Sequence, residues 1–179
     1  FALSDDGVFW GLEQYKNKKN DKYNNMHEYF NVFKNLKHIN PNDPLGLDDA
    51  IRYFWQSEDD KEIYLSKNDS FNKYYEESMY KFEHILVYFI FRYFMKAVFD
   101  YDVSAKVKMA VVSYLMIKEL GVHRWGINNG VFTKEDQAEV MRMYSKDIEH
   151  SDDNMESLYE TFESADAFKE EELLINLMN

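Results

Sequence analysis

The chain has 179 residues, 33 acidic against 21 basic side chains for a formal charge of −12, 45% apolar residues and 17% aromatics. The aromatic load excludes a disordered acidic tail, and the negative charge argues against nucleic acid as a partner. With no cysteine, disulfides, thiolate metal sites, iron–sulfur clusters and a cysteine nucleophile are all excluded within these residues.

Phe1 rather than Met opens the chain, which reads as a processed protein or a piece of a longer one. Residues 1–20 lack a basic segment followed by an apolar run, so they are not a signal peptide. They are predicted to be an N-terminal extension or the remnant of an upstream domain, residues 1–12 forming at most a short strand. Residues 21–179 are predicted to be one helical domain.

Tyr23, Met26, Phe30 and Phe33 recur at three and four, one face of an amphipathic helix. Asn40-Pro41-Asn42-Asp43-Pro44 should stop it, because proline disfavours helix in the residue before it. A short helix follows, with Leu47, Ala50, Ile51, Phe54 and Trp55 on one side. Residues 56–70 are polar and predict a loop. From about Phe71 to Phe99 there is neither Gly nor Pro, and the second half is apolar on most sides, which predicts a helix buried by neighbours on several faces. Its strongest apolar run, Ile85 to Phe99, is broken by Arg92 and Lys96 and is shorter than the ~20 residues that cross a bilayer. No membrane span is expected, and the location is expected to be cytoplasmic.

Asp100-Tyr101-Asp102 makes a break, and Val103 to Leu120 is a second apolar helix with Gly121 as its expected C-terminal cap. So short a connection predicts that the two helices lie antiparallel. Thr133 with Asp136, and Ser151 with Asp152 and Asp153, carry helix N-cap patterns. Asp166 is read as a cap for a last helix holding Leu173, Leu174, Leu177 and Met178. Residues 133–179 carry 14 acidic and only 4 basic side chains, so most of the excess charge lies there. The predicted fold is an all-α, multi-helix bundle around a central antiparallel hydrophobic helix pair.

Two polar features stand out. Lys81, His84, Tyr88, Arg92 and Lys96 fall on one row of the apolar helix. They read either as a solvated stripe or as a cationic row holding a carboxylate, a task that suits the planar guanidinium fork. A lone cation in so apolar a helix needs a partner. The acids of residues 135–153 are the richest source, and Glu149 is the leading candidate. The second feature is Tyr144-Ser145-Lys146-Asp147-Ile148-Glu149-His150-Ser151. Glu149 and His150 are the acid and base residue types, but neighbours on a helix point about 100° apart, so a helix terminus is the plainer reading. The five His are scattered, so no metal site is expected. No phosphate-binding or hydrolase motif is present.

The segment Tyr88-Phe89-Ile90-Phe91-Arg92-Tyr93-Phe94, then Lys106-Val107-Lys108-Met109-Ala110, and the segment Tyr144 to Ser151 resemble the C-terminal helical region of the flagellin lysine-N-methylases. That family carries a "YFxxRYF" helix and a "YSREIEHS"-like segment; here Lys146 and Asp147 stand for Arg and Glu. The resemblance covers about residues 75–160. It implies methyl transfer from S-adenosylmethionine to lysines of flagellin or another protein, and a Cys-rich cluster-binding region upstream, which this Cys-free chain does not contain. The motif positions it singles out are Arg92, Tyr93, Tyr144, Glu149 and His150, with no catalytic role assigned to any. The expected function is an accessory or substrate-holding domain, inactive by itself and with no cofactor of its own. The alternative is a non-enzymatic helical interaction domain or a small-molecule-binding bundle.

Overall fold

A computed structural model describes residues 12–39, 45–57 and 60–179, and these form helices and turns with no strand among them. In chain order the helices are α1 (Lys19–Lys34), α2 (Leu47–Phe54), α3 (Asp60–Tyr75), α4 (Tyr80–Phe94), α5 (Ala97–Asp100), α6 (Val103–Ile127), α7 (Lys134–Tyr144), α8 (Asp152–Ser164) and α9 (Glu170–Met178). The Pro41–Pro44 stop and the predicted strand of residues 1–12, apart from Leu12 in a helical turn, lie outside the described residues.

The fold is all-α, and α6 is its axis. Buried side chains go right round this helix, from Ala105 to His123, as expected where neighbours cover every side. It touches α2, α3, α4, α7, α8 and α9. Its most extensive contact is with α4, where Phe82 lies against Gly121 at one end and Tyr93 beside Ser113 at the other. The chain directions of α4 and α6 are therefore opposed. A second layer joins α1 to α9: Tyr29 Oη donates to the Ala167 carbonyl (2.7 Å) and accepts from Asn176 Nδ2 (2.9 Å), with Phe168 stacked on its ring.

Gly121 does not end its helix. α6 continues six residues further, and the glycine is there for room, because a Cβ would sit 3.3 Å from the rings of both Phe82 and Phe132. Gly126 is tighter still, with the Tyr53 hydroxyl where a Cβ would go. The loop predicted over 56–70 is largely helix: α3 buries Tyr64, Asn68, Phe71 and Tyr75 along one stripe. Asn68 interrupts the apolar pattern that would have revealed it. The single helix expected over 71–99 is instead the end of α3, a 3₁₀ turn Glu76–Ser78, α4 and α5.

The expectation that α4 is covered on several faces is also corrected. It buries Phe82, Ile85, Phe89 and Tyr93, but its opposite face is open, with Phe91 72% exposed. Periodicity shows that a helix is apolar; it does not show how many neighbours arrive. Thr133 and Ser151 do cap α7 and α8, Thr133 in a full capping box with Asp136. Asp166 instead opens a 3₁₀ turn, and α9 begins after Lys169 with no side-chain cap.

Candidate functional site

The geometry is most specific where α7 ends. Between α7 and α8 the chain makes a π turn over Ser145–Glu149, closed by the His150 amide donating to the Ser145 carbonyl at 3.0 Å. Such turns are uncommon and re-aim side chains. Here Asp147, Ile148 and Glu149 are all turned inward and buried. Glu149 Oε1 accepts from Tyr88 Oη (2.7 Å) and from Arg92 Nε (2.9 Å), one turn apart on α4. The Glu149 side chain is 2% exposed and that of Arg92 39%.

Burial pushes the Glu149 carboxyl up, but hydrogen bonds from Tyr88, Arg92 and Ser145 outweigh it and hold the group below the usual carboxylate range. Burial and the same carboxylate push the Tyr88 phenol up. An ionised acceptor met by three donors is an anchor rather than a proton donor.

Behind this cluster lies a buried tyrosine pair. Tyr144 Oη donates to Ser113 Oγ (2.8 Å), which donates to the Met109 carbonyl (2.7 Å). Tyr93 stacks on Phe89 with ring centroids 5.7 Å apart, and its buried hydroxyl has no hydrogen-bond partner. Burial pushes both phenols well above their ordinary range. On the other side of the π turn, Asp147 faces His38 Nδ1 at 3.1 Å. Asn154 binds both the amide and the carbonyl of Lys37 and also the Asp147 carbonyl.

Of the motif residues, Arg92 and Glu149 are thus brought together, Tyr93 and Tyr144 lie in the layer beneath, and His150 is exposed outside the cluster. Glu149 and His150 do not converge. A family model for the FliB lysine N-methylase C-terminal domain matches residues 3–176. The chain belongs to that family. No curated protein and no solved structure matches it.

In this FliB C-terminal domain the two family-like segments meet each other: the "YFxxRYF" helix supplies Arg92, and the segment from Tyr144 supplies Glu149. The match also takes in residues 3–70, upstream of the stretch of about 75–160 that carries the visible resemblance. Surface clefts among the described residues hold about 220 to 500 Å³, and none of these is lined by Arg92, Tyr93, Tyr144, Glu149 or His150. Among the described residues no three His, Asp or Glu side chains are grouped to hold a metal. No described helix is long and apolar enough to cross a membrane.

One buried polar group escaped sequence reasoning altogether. Lys22 Nζ lies 3.3 Å from Glu119 Oε1 and donates to Asn68 Oδ1 at 3.3 Å, and Asn68 Nδ2 donates to Glu119 Oε2 at 3.1 Å. The signal was present: Lys22 stands four residues before Met26 on the apolar stripe of α1, and Glu119 is the single acid of α6.

Proposed function

We propose that this domain is the accessory, substrate-holding part of a methylase that transfers methyl groups from S-adenosylmethionine to protein lysines, with flagellin as substrate, in the cytoplasm. Family membership supports the reading. The observation that carries it is the use made of the motif side chains. Tyr88, Arg92 and Glu149 tie α4 to the turn between α7 and α8, and Tyr144 ties the end of α7 to Ser113 of α6. Side chains so engaged hold a surface in place. In this reading the cofactor is held elsewhere in the methylase and would supply the methyl group there.

The test uses flagellin and radiolabelled S-adenosylmethionine with this chain alone and with a full methylase containing it. The chain alone should transfer no label, and the full enzyme should. Glu149→Gln in the full enzyme should raise KM for flagellin with kcat little changed. Robust transfer by the chain alone would overturn the accessory role; no transfer to flagellin by the full enzyme would overturn the substrate. The open face of α4 favours a second reading, a helical interaction domain without chemistry, which predicts binding and no transfer in either form.

A further inference from the structure

The outward face of α4 and α5 is apolar and uncovered. Val87, Phe91, Phe94, Met95 and Val98 recur at helical spacing opposite the side that meets α6, and they are 47%, 72%, 47%, 63% and 67% exposed. The strip continues into Phe99 and Tyr101 at the turn, 86% and 88% exposed. An apolar groove also lies between α6 and α9, walled by Val107, Val111, Leu173 and Leu177. With aromatic side chains contributing up to 150–250 Å² each, the strip offers on the order of 1,000 Å². That exceeds the roughly 300–600 Å² of the largest apolar patch on an ordinary monomer, and it matches the ~800 Å² that each partner contributes to a standard interface.

Charge says what kind of partner fits. His84, Tyr88, Arg92 and Lys96 run along one edge of the strip, about 100° round the helix from Val87, Phe91 and Met95. No acidic residue occurs from His84 to Phe99, in a chain whose formal charge is −12. Glu149 accepts from Arg92 Nε, and the Arg92 side chain stays 39% exposed. Lys96 is exposed at the end of the row.

We propose that this face binds an amphipathic α-helix of a protein partner, apolar on one side and carrying carboxylates along one edge. The strip from Val87 to Val98 is about 17 Å long, the length of three helical turns. An apolar face beside a charged edge is the helix-in-groove mode of recognition. A second copy of the chain fits less well, because two molecules of −12 repel and their cationic rows would meet. An anionic bilayer is opposed by the 14 acidic side chains of residues 133–179. The proposal stands independently of the methyl-transfer reading.

The probe is a dye-labelled synthetic helix of about 18 residues, Leu and Phe on one face and Glu along the edge, beside a twin with Lys for Glu. Fluorescence anisotropy against the intact chain should show the Glu peptide binding roughly tenfold tighter than the Lys twin, the preference expected of two or three exposed ion pairs. Lys96→Glu should erase that preference. Phe91→Ser with Val98→Ser should abolish binding of both peptides while circular dichroism stays unchanged, since both positions are exposed. Equal binding of the two peptides, or binding indifferent to the Phe91 and Val98 changes, would overturn the proposal. So would sedimentation showing a dimer that Phe91→Ser dissolves, or tighter binding to phosphatidylglycerol vesicles than to the Glu peptide.

Discussion

Glu149 is the buried member of its ion pair and Arg92 the partly exposed one, and this asymmetry decides which substitution costs more. Arg92→Met leaves a buried carboxylate short of its cation, a loss of about 3–5 kcal/mol. Glu149→Gln leaves a guanidinium that turns to water while the new amide still accepts from Tyr88, a loss of about 0–1 kcal/mol. Urea melts of the two variants measure the difference; equal losses would mean that water reaches the carboxylate. The Lys22–Glu119 pair, with side chains 2% and 1% exposed, is symmetric by contrast. Lys22→Met should cost about 3–5 kcal/mol, and adding Glu119→Leu should recover much of it. A double-mutant cycle reads the coupling. The link from Arg92 to Glu149 was legible in the sequence because a cation in an apolar helix needs an acid. Which partner is buried was not, because that depends on what covers α4.

At the scale of elements, the π turn places one extra residue between α7 and α8. One residue rotates a helix by about 100°, enough to carry Glu149 away from α4. Deleting Lys146, whose side chain is exposed, should restore α-helical register and break the Tyr88 and Arg92 hydrogen bonds. The expected loss is at least that of Arg92→Met, about 3–5 kcal/mol, whereas Lys146→Ala at full length should change stability by less than about 0.5 kcal/mol. Thermal melts of both variants check this. The segment stood out in the sequence as a dense polar cluster at a helix end, and Thr133 and Ser151 were readable as caps. A cap is a bargain between residues two or three apart. The π turn is not, since it is held by partners on α4 and by His38 near the end of α1. α3 was missed for the same reason: its stripe is completed by Asn68, whose partners are Lys22 and Glu119.

For the molecule as a whole, one buried and one half-buried base shape stability against pH. Burial pushes the His123 imidazole down to about 4 from its ordinary 6.5. The unfolded chain therefore takes up a proton between those values that the fold refuses, and stability falls as pH drops from 6.5 toward 4. His123→Leu should flatten this limb between pH 6.5 and 5, above the range where carboxylates titrate. Burial and the neighbouring Lys22 cation push the Lys118 ammonium down to about 8 from 10.5. Its charged form opposes folding fully below pH 8, so stability should rise from pH 8 to 10 as the fold sheds the proton first. Lys118→Met should remove that rise. Denaturant midpoints across the two windows test both statements.

The sequence by itself determined the all-α class, the two helix caps of the C-terminal third and the need of Arg92 for an acid. Each rests on spacing within a helix, on a hydrogen bond between near neighbours, or on the cost of an unpaired charge. The tertiary structure alone decided that α6 and not α4 is enclosed on all sides, that polar residues 60–70 form a helix, and that Glu149 turns inward. Burial is set by which distant elements arrive at a surface. α4 and α6 are both apolar in sequence, but six helices pack extensively on α6, while α4 keeps an open face.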